Sequence, residues 1–351
     1  MAWCDVLGHD AVAERFRRSL ERGRLASTYL FIGPPGIGKR TFAVRLAQAL
    51  LCQVHAAERC LPCGGCSACQ QVAAGSHPDL EIVSKPPDKS ELPIELLIGD
   101  RAHRMREGLC ARIALKPFCG GRKIAIIDDA DDLNVEGANC LLKTLEEPPP
   151  RSLLILIGTS EQRQLPTIRS RCQVVRFSPL SRKEVADVLL CRGFVSTREE
   201  AERLADYGEG SVQQALDSAG PEVLEFRRHL FHALADFDRK PTTLASEVNA
   251  FVDRAGKEAG PRRDRLRYLI AQAGNYYRHV MRNVAGAGST ADASLANAAR
   301  QGSSSWPGDA ESAAACLERC LDAEAHVDAN ASLVAVVECW LDDLARLARG
   351  G

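Results

Sequence analysis

Three groups of residues carry the types and spacings that could do chemistry. The first is Gly33-Pro34-Pro35-Gly36-Ile37-Gly38-Lys39. In that spacing the glycines let backbone N–H groups face phosphates, a helix N-terminus lies behind them, and Lys39 reaches the outer phosphates. The next position, where a Ser or Thr ordinarily ligates Mg²⁺, is Arg40. Thr41 follows, but one helical step turns it by about 100°, away from that ion. Phosphate binding is therefore easier to defend than hydrolysis. The second group is the apolar stretch Ile124–Ile127, which ends in Asp128-Asp129-Ala130-Asp131. Asp128 is placed to hold a metal ion through water. Asp129 stands where many nucleotide hydrolases carry a water-activating Glu, yet it is one methylene shorter, and a general base must lie within hydrogen-bond reach of its water. Asp131 and Asp132 read as a solvated helix N-terminus. The third group is Cys63-x-x-Cys66-x-x-Cys69, with Cys52 and Cys60 upstream. Four thiolates suit tetrahedral Zn²⁺ in a closed, structural shell. The fourth ligand is Cys52, at the end of the helix after the glycine loop, or Cys60; His55 and His77 lack the spacing.

These residues need elements to position them. The chain has 351 residues, 45% of them apolar, which predicts two or three domains with ordinary cores. Its 45 basic and 46 acidic side chains leave a net charge of -1, so no global field draws it to nucleic acid. Five of the 14 Cys fall between Cys52 and Cys69, a clustering that argues for metal binding over a disulfide framework. The longest apolar runs are far short of a membrane span, and Met-Ala-Trp-Cys-Asp-Val is no secretory signal; the expected location is cytoplasmic.

Val12, Phe16 and Leu20 lie at helical spacing. Thr28–Ile32 is a short apolar run before the glycine loop, and Phe42, Leu46, Ala47 and Leu50 resume a helical period. Apolar strands recur at Leu80–Val83, Ile124–Asp128, Leu153–Gly158 and Val174–Phe177. Continuous apolar strands alternating with helices predict an α/β domain, a parallel sheet with helices on both faces. After Phe177, Ser181-x-x-Glu184, Thr197-x-x-Glu200 and Ser211-x-x-Gln214 are successive helix-opening boxes. The expected division is 1–178 with an insert at about 52–69, a small helical domain at 179–220, and an all-helical domain at 221–351. The last domain is expected to hold helices at Val223–Leu234, Leu244–Val252, Leu266–Val284 and Ala313–Leu347, with a loop over Ala285–Pro307. Its Arg262, Arg263, Arg265, Arg267, Arg278 and Arg282, with Tyr268, Tyr276 and Tyr277 among them, read as a solvated face over core aromatics rather than a nucleic-acid surface. The scattered cysteines, Cys140 and Cys172 included, read as small core residues.

Four motifs occur in order: Gly33–Lys39, Asp128–Asp131, Leu141-Leu-Lys-Thr-Leu-Glu-Glu-Pro-Pro149, and Thr167-Ile-Arg-Ser-Arg171-Cys172. The series resembles the bacterial sliding-clamp loader, the AAA+ ATPase assembly of DNA polymerase III, over roughly residues 3–220. Within that family it resembles the delta-prime branch more closely than the gamma/tau motors. The resemblance implies an AAA+ P-loop domain, a helical lid and a helical collar whose last helix, Leu317–Leu347, carries an apolar face. It implies a zinc module with the preceding cysteine as fourth ligand, hence Cys52, Cys63, Cys66 and Cys69. It also implies that Arg171 serves as an arginine finger toward ATP on a neighbouring subunit, and that Thr159 senses the γ-phosphate. The family's motors carry an Arg in a Gly-Ser-x-Arg motif, where Gly210-Ser211-Val212-Gln213 places a neutral Gln213.

Arg40, Asp129 and Gln213 are thus three altered parts of a hydrolytic site, while the finger is intact. The implied role is a stator-like subunit that turns over little or no ATP of its own, whether or not ATP and Mg²⁺ reach its loop. Implied partners are gamma/tau-like motors and a delta-like subunit in a hetero-oligomer, with the sliding clamp and primed DNA reached through the assembly. Two other readings are a motor or free-standing AAA+ ATPase, and a zinc-bearing scaffold with a vestigial loop. The three altered residues count against the former; Lys39 and Arg171 count against the latter.

Overall fold

The structure, a computed structural model, describes residues 6–86, 89, 91–104, 106–119, 121–236, 239–287 and 292–349. The opening pentapeptide, on which the reading of the start as non-secretory rests, lies outside them. The chain divides into two compact units, Met1–Gln213 and Gln214–Gly351.

Among its described residues the first unit has five strands: β1 (Thr28–Ile32), β2 (Leu80–Val83), β3 (Lys123–Ile127), β4 (Ser152–Ile157) and β5 (Gln173–Arg176). All pair in parallel, in the order β2-β3-β4-β1-β5. Every residue of β1, β3 and β4 is buried, whereas the edge strands β2 and β5 are partly open. The two-residue period of a strand splits these apolar runs between two cores. Tyr29, Phe31, Ile124, Ile126, Leu153 and Ile155 join Phe16 and Phe42 on one face. Leu30, Ile32, Ala125, Ile127, Leu154 and Leu156 join Leu97, Leu109 and Leu141 on the other. Helices Asp10–Glu21 and Lys39–Leu51 supply the first face; Ile94–Ile98, Gly108–Ala114 and Val135–Glu146 supply the second. This is the expected parallel α/β sheet. In such a sheet, ligands gather beyond the carboxyl ends of the strands, and it is there that β1, β3 and β4 deliver Gly33, Asp128 and Gly158-Thr159.

The unit closes with helices Arg182–Cys191 and Arg198–Gly208. Ser181 and Glu184 form a full reciprocal capping box, while Thr197 caps only through Glu200 N–H.

Among its described residues the second unit has helices and no strand: Pro221–Ala235, Pro241–Asp253, Ala259–Val284, Ala293–Ser304, Ala310–Asp328 and Leu333–Ala348. Trp340, Tyr276, Tyr277, Phe231 and Phe251 fill its core. Three expectations are corrected here. Ala285–Pro307 is not a loop throughout, because Ala293–Ser304 is a helix. Its composition, rich in Ala, Gly and Ser, hid it. Asp292 caps the helix by accepting from Ser294 N–H (2.9 Å) and Leu295 N–H (3.2 Å), and Leu295, Ala298 and Ala299 are buried. Nor is Ala313–Leu347 one helix: it breaks after Asp328, where Asn330 takes a left-handed φ of 59°. Three of the six arginines form ion pairs, Arg262 with Asp253, Arg265 with Glu222, and Arg267 with Asp264 and Asp328, and the three tyrosines are buried. The scattered cysteines are not all core residues: Cys110, Cys316 and Cys320 are buried, but Cys119, Cys191 and Cys339 are exposed.

Candidate functional site

The glycine loop follows β1 directly and opens the helix Lys39–Leu51. Gly36 and Gly38 have φ of 72° and 95°, a region that Gly adopts without a steric penalty. Gly36 is also tightly covered: a Cβ there would stand 2.3 Å from Ser211 Oγ and 2.5 Å from Gln213 Cβ. Val212 N–H donates to the Gly36 carbonyl (3.0 Å), so the Gly210–Gln213 turn is fastened onto the loop. Lys39 is only 7% exposed and donates through Nζ to the carbonyls of Gly33 and Pro34, both at 2.6 Å. Burial brings its ammonium down to about 8, against the pull of Asp131 and Asp128. Thr41 is half-buried one step along the helix.

Asp128 follows β3, its N–H bonded to Val83 O (2.8 Å). Its Oδ2 lies 3.2 Å from Arg40 Nη1. The residue that replaces the expected hydroxyl thus sits on the carboxylate expected to hold the metal. Asp129 has a left-handed φ of 55°, and its Oδ2 accepts from Lys85 N–H (3.2 Å), toward the end of β2. Burial first, then the neighbouring Asp128, raises its carboxyl above the usual range.

Asp131 is not a solvated helix N-terminus. Its Oδ2 accepts from both the N–H (2.7 Å) and the hydroxyl (2.6 Å) of Thr159, and its Oδ1 from Gln164. Thr159 in turn accepts from Gly33 N–H through its carbonyl (3.1 Å). Sequence reasoning missed Asp131 because its partners are 28 and 33 residues away, on β4's exit.

Arg171 stands elsewhere. It precedes β5, and its carbonyl accepts from Thr28 Oγ1 (2.7 Å) at the start of β1. The glycine loop lies beyond the other end of β1, five residues or about 16 Å away at 3.3 Å per residue. The Arg171 Nε donates to Glu146 Oε1 (2.8 Å) and its Nη1 to Thr167 O (3.0 Å). Glu146 was a motif residue with no role read from sequence.

The sulfur atoms of Cys52, Cys63, Cys66 and Cys69 all lie within 4.8 Å of one another, with Cys63 and Cys69 at 3.9 Å. Sulfurs bound at about 2.3 Å around tetrahedral Zn²⁺ would be about 3.8 Å apart, so the cluster could hold such an ion. Backbone N–H groups of His55, Cys66 and Cys69 point at the sulfurs of Cys52, Cys63 and Cys66 (3.3, 3.3 and 3.4 Å). Burial opposes ionisation of Cys66, but Gln53 N–H, Cys69 N–H and the neighbouring thiols outweigh it and bring the thiol down to about 6. Gln48 on the loop helix donates to Cys69 O (2.7 Å) and ties the module to the domain. Cys60 turns into the apolar core, where burial pushes its thiol up to about 12. Neither His55 nor His77 joins the cluster: His55 Nδ1 faces Leu61 O, and His77 Nδ1 accepts from Asp79 N–H.

Residues 8–181 match the family described as DNA polymerase III, delta subunit. Over that segment, just under half of its length, the chain resembles this family. It is 39% identical over 207 residues to the DNA polymerase III subunit delta' of Pseudomonas aeruginosa, covering 59% of this chain and 60% of that one. Against the subunit delta' of Bacillus subtilis it is 36% identical, covering 49% and 48%. Against the subunit tau of Escherichia coli it is 31% identical, covering 61% and 32%. The chain thus spans less than two thirds of the length of these relatives. A solved DNA polymerase III gamma subunit-related protein from Thermotoga maritima aligns over 96% of this chain at 16% identity, with a TM-score of 0.43.

A clamp-loader P-loop implies Mg²⁺ with the nucleotide, and the residues present do not fit it. The hydroxyl ligand is absent, and the Asp128 carboxylate is already neutralised by Arg40. A dication about 4 Å from that guanidinium would be repelled by about 2 kcal/mol even at the dielectric of bulk water.

Proposed function

We propose that the chain is a stator-like, delta-prime-type subunit of a DNA polymerase III clamp loader, which takes part in placing the sliding clamp on primed DNA. The match of residues 8–181 to the family and the likeness to delta' relatives support the class. The choice of role rests on one contact, Arg40 on Asp128, which occupies both positions that would hold Mg²⁺ for hydrolysis. Gln213, neutral where a motor has Arg, agrees with it.

Arg171 is the group that acts on a partner. It lies at the opposite end of the sheet from this chain's own loop, which supports service to a nucleotide on a neighbouring gamma/tau-like subunit. A guanidinium there stabilises the charge that grows on the transferring phosphoryl group, and such fingers contribute about 10³–10⁵ in rate. Glu146 then acts as its holder when no neighbour is present. Zn²⁺ in the Cys52, Cys63, Cys66 and Cys69 shell is structural, since four protein ligands leave no position for substrate. Thr159, committed to Asp131, reports on the loop through Gly33 rather than by free access to a phosphate.

The test is a loader reconstituted with gamma/tau-like and delta-like subunits, the clamp and primed DNA. Arg171→Ala should leave assembly intact and remove most of the ATP turnover at the one site it serves, and the isolated chain should show no turnover. Steady turnover by the isolated chain, lost on Lys39→Ala, would instead establish a motor.

A further inference from the structure

We infer that the P-loop of this chain binds a nucleoside di- or triphosphate without a divalent cation, the Arg40 guanidinium standing in for the ion. The inference rests on the same Arg40–Asp128 contact as the proposed function and adds to it the reading of the loop as a working phosphate cradle.

The argument starts from what a polyphosphate needs. Its outer oxygens carry several negative charges, and a P-loop meets them with backbone N–H groups, one lysine and a metal ion held by a hydroxyl and a carboxylate. Here the first two parts are in place: Gly36 and Gly38 keep the loop's positive φ values, and Lys39 turns its ammonium inward onto Gly33 O and Pro34 O. Those two carbonyls are weaker partners than phosphate oxygens, since charge-assisted bonds to an anion are about twice as strong as those to a neutral acceptor. The third part is changed. At the position of the metal-ligating hydroxyl, the chain carries a cation of its own, anchored to the carboxylate that would otherwise attract the metal (3.2 Å).

Arg40 is 56% exposed on its side-chain surface, so its other guanidinium N–H groups remain open to solvent beside the helix N-terminus. Its fork of donors matches phosphate oxygens, and its charge is permanent across the physiological range. Asp128 orients the fork in the way that it would orient a hydrated metal. One fixed positive charge replaces a bound dication, which holds phosphate but supplies no Lewis acid for its transfer. A cradle of this kind retains nucleotide and does not spend it.

The test uses the full chain and a fluorescent ADP analogue, titrated in EDTA and again in millimolar Mg²⁺. The wild type should bind equally in both, within about twofold. Arg40→Ser restores the hydroxyl and frees Asp128; it should bind about tenfold more weakly in EDTA and recover on addition of Mg²⁺. Arg40→Lys, which keeps charge but not the fork, should fall between them, and unchanged melting temperatures confirm that the variants fold. Wild-type binding that requires Mg²⁺, an Arg40→Ser variant unaffected in EDTA, or no binding at millimolar analogue would each overturn the inference. A Mg²⁺ requirement would also remove the contact-based support for a non-hydrolysing role, whereas the effect of Arg171→Ala on the assembled loader would stand, so failure of the inference and failure of the finger reading are distinguishable.

Discussion

Asp79 shows how much a single buried side chain can organise. It is fully buried, and its two oxygens accept from Phe118 N–H (2.7 Å) and Cys119 N–H (2.9 Å), with Lys123 Nζ at 3.5 Å. Those bonds hold the turn ahead of β3 and leave the Phe118 side chain 84% exposed. Burial alone would raise the Asp79 carboxyl, but Cys119 N–H, Phe118 N–H and Lys123 outweigh it and bring it below its ordinary value. A carboxyl lowered by folding stabilises fully above its unfolded value, and that contribution is lost as pH falls through the lower folded one. Asp79→Asn should therefore cost about 2 kcal/mol at neutral pH, within the range for bonds to a charged group. The urea midpoint measures it, and the variant should show a shallower loss of stability on the acid side than the wild type. Arg40, Glu146 and Asp131 make the same point at the site, since each acquires its meaning from partners distant in sequence.

At the scale of elements, the cysteine module is a short helix, Ser67–Ala73, and a loop, fastened to the helix Lys39–Leu51 by Gln48. The module buries Cys60, Ala68 and Val72, but among its four gathered cysteines only Cys69 is fully buried. A metal ion in the four-thiol shell would crosslink this short segment and couple its order to binding. Chelation should strip amide protection from residues 60–73 while β1 and β3 keep theirs, as read by hydrogen exchange. Cys52→Ser should lose the bound zinc and Cys60→Ser should retain it, as read by metal analysis of the purified chain. Strand positions were plain from sequence, because buried parallel strands are continuous apolar runs. The helix Ala293–Ser304 was not, because small residues give a weak periodic signal and its capping Asp292 is decided by a distant partner.

At the scale of the whole molecule, two compact units invite separate stability behaviour. In the second unit, Arg227 and Asp292 are both buried and paired, and Arg227 also donates to Gln272 Oε1 (2.6 Å) and lies 4.5 Å over the Phe231 ring. Arg227→Ala leaves a buried carboxylate uncompensated, which should cost about 3–5 kcal/mol. Hydrogen exchange should show the loss across 221–348 with little change in β1, β3 and β4; a uniform loss over both units would mean that they unfold together. The amino-acid sequence by itself determined whatever depends on neighbours along the chain: the glycine loop, the apolar strands, the helix caps, the cysteine spacing and the motif series that marks the clamp-loader family. Only the tertiary structure decided which residues meet across it. It set Arg40 against Asp128, Asp131 against Thr159 and Arg171 against Glu146, and it sent Cys60 into the core while Cys52 joined the cluster. The physical reason is one of range: local rules act over a few residues, whereas these pairs are made by the parallel sheet, which brings together segments 25 to 88 positions apart.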